Sequence, residues 1–251
     1  MIRRFRQGLT IAGAIGAAIG GLAAPAHAQD ARSATAEVMT EEARRGLSWS
    51  GGRAAVGGDV RLSLGRLDAS ARAVTTRGSA RHDGADAVID LALGTGWDLG
   101  AVRVRADATG HAFAGARGRM DYVEAGVSAG YGYGPLYLTI GVTAAPSQRA
   151  IGGGNVYIHG DASAGIPGTP FTVLAGLGHS SGSVRDAERS ARLRPGGDYA
   201  DWRLGVEYRR DRLTLGVDYV GTDISSDDAV GRFADRQHVS DRIVGRAQLS
   251  F

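Results

Sequence analysis

In Gly-Leu-Gly-His-Ser-Ser-Gly-Ser, residues 176–183, a histidine and a serine stand two positions apart. On a strand, positions i and i+2 share a face, so the His179 imidazole could take the proton of the Ser181 hydroxyl and make it a nucleophile. His159 and Asp161 repeat that spacing with two metal-ligating types. Neither pair is complete. No orienting acid or amide can be assigned to the first and no third ligand to the second, so a strand-to-loop transition and a polar strand face are the preferred readings. Gly-Tyr-Gly-Tyr-Gly-Pro, residues 130–135, has the glycines of a phosphate loop but sits in a turn with no helix after it. All 29 basic residues are arginine, which removes the lysine that a P-loop or a Schiff base needs, and the absence of cysteine removes thiol chemistry and zinc–thiolate sites. No catalytic centre, resident metal or cofactor is expected.

The elements that carry these residues alternate with period two. From Asp201 to Val220, Trp202, Leu204, Val206 and Tyr208, then Leu213, Leu215, Val217 and Tyr219, form one apolar face. Arg203, Gly205, Glu207 and Arg209, then Thr214, Gly216 and Asp218, form the other. Alternation on both sides of a tight polar turn is an antiparallel hairpin. The same lettering recurs at roughly 35–48, 53–64, 67–76, 85–95, 100–113, 120–132, 135–146, 154–165, 170–181, 199–209, 212–223 and 241–251. The first of these is the least regular because its centre, Glu41-Glu42-Ala43-Arg44-Arg45, is charged. Connections after even-numbered strands are short. Those after odd-numbered strands include the two longest, 182–198 and 224–240. A membrane barrel with both chain ends on one side has this asymmetry.

Residues 1–28 place three arginines before an apolar run and end in Ala26-His27-Ala28, the build of a secretory signal peptide cleaved after Ala28. Residues 29–251 are then one domain. The formal charge of +3 equals the contribution of Arg3, Arg4 and Arg6, the only charges in residues 1–28, so the exported part is neutral. Its balance does not support a nucleic-acid partner.

Which face is wet decides the class. Aromatic residues make up 6% of the chain, and alanine and glycine fill many apolar-face positions, so a soluble sandwich would bury little area per residue. Trp49, Trp97, Tyr199, Trp202, Tyr208 and Tyr219 fall near strand ends, where amphipathic rings form girdles at a membrane surface. The chain stops on Phe251, at the end of an amphipathic strand. These features predict an all-β, antiparallel, up-and-down transmembrane β-barrel of about twelve strands in the outer membrane of a Gram-negative cell. Lipid would lie outside it, and the barrel assembly machinery would read the C-terminal strand that ends in Phe251.

Arg45, Gly46, Ser48 and Ser50, followed by Ala55, Gly57 and Gly58, resemble the Arg-Gly-x-Ser-x-Ser stretch and Gly-Gly pair of the TorF family of proteobacterial porins. The likeness continues through residues 122–142 and 198–223. It implies an outer-membrane barrel that forms a pore, with no established substrate. The face opposite the lipid would then line that pore with Arg61, Arg72, Arg103, Arg105, Asp107, Glu124, His159, Asp161, Arg203, Glu207, Asp218 and Arg246. This near-balanced set favours weak selectivity for small solutes or ions and cross-lumen ion pairs over a one-sign ring. Arg103 and Arg105, two apart on one strand, are the expected local anion contact. His179 and Ser181 also resemble the motif of outer-membrane lipid-modifying hydrolases. That reading, and a soluble periplasmic binding barrel with the opposite sidedness, are the alternatives.

Overall fold

The computed structural model describes residues 32–251; the predicted signal peptide lies outside the described residues. The barrel is built of β1 (Arg32–Met39), β4 (Ala55–Leu64), β5 (Leu67–Ser79), β6 (Ala85–Leu99), β7 (Val102–Ala114), β8 (Tyr122–Tyr133), β9 (Leu136–Gln148), β10 (Gly153–Gly165), β11 (Phe171–Ser181), β12 (Tyr199–Arg210), β13 (Leu213–Thr222) and β14 (Arg242–Ser250). Each strand pairs antiparallel with its sequence neighbours, and β1 closes the ring on β14 through Thr35↔Ser250 to Met39↔Arg246. Closure leaves no edge strand, so the backbone groups along the ladders pair within the sheet, as hydrocarbon demands.

The twelve expected strands are present, but the first is shorter. Instead of running over 35–48, it ends at Met39, and the chain folds inward to make a two-stranded ribbon, β2 (Ala43–Arg44) and β3 (Leu47–Ser48). The charged centre explains the break. Glu41, Glu42, Arg44 and Arg45 cannot alternate against lipid, whereas inside the tube each finds an opposite charge.

At one end, β4–β5, β6–β7, β8–β9 and β12–β13 are joined by two-residue turns, whose first residue is left-handed in each case: Gly65, Gly100, Gly134 and Asp211. Such turns match the twist of paired strands. The other end carries the long connections 40–54, 182–198 and 223–241.

The apolar faces point outward. Ile140, Leu177 and Ile243 are 67%, 70% and 72% exposed, and Leu91, Val127, Leu204 and Val217 are exposed on neighbouring strands. A belt of this extent is covered by lipid tails rather than water. The soluble alternative, with leucines meeting inside, has the opposite geometry.

Two of the six rings expected in girdles are elsewhere. Trp49 and Tyr199 are buried at the long-loop end, whereas Trp97 and Tyr219 stand exposed on the outer face. Trp49 packs on His82 and Phe113, and Tyr199 joins Leu47, Ala191, Ala229, Ala234 and Val239. This packed cap includes the turn Ala80–His82 and the short helix α1 (Ala187–Ser190). Two fully buried arginines tie it together through backbone oxygens. Arg81 donates to Ser48 (3.0 Å), Arg192 (2.8 Å) and Ala234 (2.8 Å), and Arg192 donates to Met120 (2.9 Å) and Ala150 (2.7 Å). Burial pulls both guanidiniums down to about 10, so they remain charged at neutral pH and solvated by carbonyl dipoles in place of water.

Candidate functional site

The interior is organised around the inward ribbon. Its tip is the turn Arg45-Gly46, with φ of 49° and 69°, the double left-handed geometry of a tight hairpin. Gly46 is required by space as well as by φ, since a Cβ there would lie 2.4 Å from Thr222 Cγ2 and 2.6 Å from the Gly221 oxygen. The tip is held from both sides. The Tyr199 hydroxyl donates to the Arg45 oxygen and Arg242 donates to the Gly46 oxygen, each at 2.9 Å. Arg242 is also paired with Glu41.

From this ribbon two guanidiniums reach the wall. Arg44 meets Asp90 at 2.7 Å and Arg45 meets Glu124 at 2.8 Å, while His111 lies between those acids, 2.7 Å from Asp90 and 3.4 Å from Glu124. The chain of contacts continues as Arg45 stacks over Tyr157, whose hydroxyl contacts Asp201 at 3.2 Å. On the other side Glu42 takes Arg44 and Arg72 at 2.7 Å each, and Arg72 also reaches Glu37 at 2.8 Å. Burial alone would raise the Glu42 carboxyl. The Arg44 charge, with the hydrogen bond and charge of Arg72, outweighs it and holds Glu42 below the ordinary carboxylate range. The ribbon is therefore latched by largely buried ion pairs, where a broken pair leaves a poorly solvated charge.

Beside the latch the tube is not filled. A cavity of about 310 Å³ lies among Glu37, Glu42, Arg72, Arg203, Asp218 and Arg246, and another of about 190 Å³ among Arg45, Tyr157, Asp161 and Asp201. Toward the short-turn end the interior opens out. Arg61, Arg103 and Arg209 keep more than half of their side chains in solvent.

Over residues 23–251 the sequence matches the family described as "Bacterial protein of unknown function (Gcw_chp)". The chain belongs to this family. No curated protein matches this Gcw_chp chain. Among solved structures, it is similar to the KdgM porin, at 7% identity and a TM-score of 0.57 over 87% of this chain and 99% of that one. It is also similar to the COG4313 outer membrane channel from Pseudomonas putida F1, at 12% identity and a TM-score of 0.54 over 90% and 97%. At these identities the likeness is one of fold: an outer-membrane-type barrel.

All twelve residues expected on the polar face share the inward side of their strands, but they fall into separate groups. Arg72 and Glu124 belong to the latch. Arg203, Asp218, Arg246 and Glu207 form a second chain, with Asp218 2.8 Å from Arg203 and 2.9 Å from Arg246, and Arg246 paired with Glu207. Arg105 contacts Asp68 at 3.0 Å and Asp107 at 3.8 Å, and Arg103 reaches Asp98 at 3.7 Å, so these two arginines do not present a bare pair to an anion. Arg61 lies 3.1 Å from Asp59, and His159 is hydrogen-bonded to Asp161 at 2.6 Å. His179 and Ser181 share the outward side of β11, and among the described residues no hydrogen bond joins them or ties His179 to an acid. The residues of the inward connection missing from the expectation are Glu42, Arg44 and Arg45. Their one signal was a doubled run of charge interrupting an alternating segment.

Proposed function

We propose that this chain is an outer-membrane channel whose lumen is restricted by its own first connection, passing small solutes or ions with weak selectivity. The observation that carries the reading is the ribbon 43–48 held by ion pairs inside a polar tube, with unfilled space beside it. Most of the lumen charge is paired, which favours slow, weakly selective passage over a ring of one sign. The resemblance to TorF-like porins supports the same reading, as does the likeness to the KdgM and COG4313 barrels. Export by residues 1–28 and recognition of Phe251 by the assembly machinery complete it. Phe251 is exposed at the end of β14, its N–H bonded to the Ala34 oxygen at 2.9 Å, which leaves the ring free for a partner. The hydrolase reading lacks a hydrogen-bonded His–Ser pair and gains no support from the geometry around His179.

The test is conductance in planar bilayers. The wild-type barrel should show small or rarely open channels, and an Arg44→Ser/Arg45→Ser variant should open more often or wider. Silence from both, with correctly folded protein, would overturn the channel reading.

A further inference from the structure

At the long-loop end, β8 and β9 part company. Their ladder runs from Tyr133↔Leu136 up to Ala125↔Ala144, and above it the Gln148 amide satisfies the backbone N–H and oxygen of Val123 at 2.9 and 2.7 Å. The splayed seam opens a cavity of about 510 Å³ between three connections, lined by Arg119, Asp121, Gln148, Arg149, Ala150 and Arg189. Three guanidiniums thus come from three separate connections against one carboxylate, and that carboxylate is committed to the Phe113 N–H at 2.8 Å. Among the described residues neither Arg119 nor Arg149 takes part in an ion pair, and Arg189 reaches Asp186 only at 3.7 Å. Arg189 also donates to the Arg119 oxygen at 3.4 Å, so the cavity gathers three guanidiniums against the Asp121 carboxylate and a distant Asp186, an excess of positive charge. Such an excess suits a phosphate, which a guanidinium can bind through two parallel hydrogen bonds.

The same strands carry a second hollow on their outer side. Val104, Val127, Ala129, Ile140, Val142, Ile158 and Leu177 border a groove of about 700 Å³. Between it and the arginines stand the exposed residues Val123, Ala144 and Pro146, about 20 Å of strand from Val142 to Gln148. A basic cavity above an apolar groove on a lipid-facing wall has the layout of an amphiphile with a phosphorylated head.

We propose that Arg119, Arg149 and Arg189 bind the phosphate of an outer-leaflet glycolipid whose acyl chain lies in the groove on β7–β11. The proposal rests on the outer-membrane reading above, in which the short turns face the periplasm and the long connections face the outside of the cell. It makes the barrel a lipid-bound one, anchored on one flank, independently of what crosses its lumen.

The experiment uses the whole barrel in nanodiscs of phosphatidylethanolamine with added lipid A, and native mass spectrometry of the lipid retained after release into detergent. Wild type should retain lipid A. The Arg119→Ser/Arg149→Ser/Arg189→Ser variant should lose about tenfold or more of it, the scale of several charge-assisted contacts. Dephosphorylated lipid A should not compete. An Arg66→Ser/Arg210→Ser/Arg212→Ser control, which removes equal charge from the short turns, should retain lipid A like wild type. Arg119 and Arg149 are exposed and Arg189 is half-buried, so the fold of the triple variant is checked by its heat-resistant band on gels, and an Arg119→Ser/Arg149→Ser variant, which leaves Arg189 in place, should also lose lipid A. Equal retention by the triple variant, or equal competition by dephosphorylated lipid, overturns the site. Binding of inorganic phosphate with no retention of lipid A overturns the glycolipid as its source. The readout needs no export, so a barrel found outside the outer membrane would defeat the channel reading while lipid retention still decided this one.

Discussion

At Gly46 two independent constraints coincide, a left-handed φ of 69° and a wall that leaves no room for a methyl group. Gly46→Ala should therefore cost on the order of 1–3 kcal/mol at this one position. The loss should appear first as undocking of the ribbon, because the barrel wall does not depend on it. The expected result is larger conductance with little change in the urea midpoint of the wall. A lower midpoint without any change in conductance would contradict it. Glu42 is the second residue whose state sets the latch. Its carboxyl is held below its ordinary value of 4.5 while docked and returns to that value when released. A depressed docked pKa means that the latch is complete above pH 4.5 and weakens as pH falls through the lowered value. Open probability should rise in acid over that window. Glu42→Gln should be open at all pH values, with a latch weakened toward the lower end of about 3–5 kcal/mol, since Arg72 keeps Glu37 and Arg44 keeps Asp90.

At the scale of elements, the cap has its own acid sensitivity through the turn Ala80–His82. His82 is fully buried, stacked 4.6 Å from Phe113 and 4.5 Å from Trp49, with Arg192 3.4 Å from its Nδ1. Burial first, then the charges of Arg192 and Arg81, holds the imidazole well below its ordinary value of 6.5. The stability this neutral ring supports is present above pH 6.5 and is lost as pH falls below it, by about 1.4 kcal/mol per unit while the folded ring stays neutral. Hydrogen exchange in residues 187–194 and 233–239, corrected for intrinsic rates, should accelerate at pH 5.5 in wild type and not in His82→Phe. The elements also show what sequence could and could not reveal. Alternation such as Leu136, Leu138, Ile140 and Val142 against Tyr137, Thr139, Gly141 and Thr143 is a local property, so eleven of the twelve strands were legible within a few residues of their ends. The ribbon was not. Its strands are two residues long, too short for a period, and its turn uses Arg45-Gly46 in place of the Asn-Gly that marks such hairpins. Trp49 and Tyr199 have the sequence position of girdle rings because a strand end looks the same in sequence whether the side chain turns to lipid or to a cap. Partners such as Arg44 and Asp90, or Arg81 and Ala234, meet only through barrel closure, so no spacing rule could pair them.

For the whole molecule, the cap and the ribbon lie toward the same end, and this asymmetry has a consequence. The polar interior below the latch communicates with solvent at the short turns, where Arg61 and Arg103 are exposed, and is shielded at the long loops by Leu47, Trp49, Leu193, Phe233 and Val239. A narrow barrel whose mouth is closed by packed side chains behaves as a cup until the latch lets go. The native chain has no cysteine, so a single introduced thiol reports on access without background. Arg103→Cys in oriented vesicles should react quickly with a membrane-impermeant maleimide from the short-turn side and slowly from the long-loop side. Removing the latch with Arg44→Ser/Arg45→Ser should narrow the gap between the two rates, because the path from the long-loop side is then limited by the cap alone. Lowering the pH below 6.5 should speed the long-loop reaction further in that variant, as His82 charges and the cap loosens. Equal rates from both sides in the unlatched and native barrels alike would mean that neither barrier governs passage, and the plug would then be packing rather than a gate.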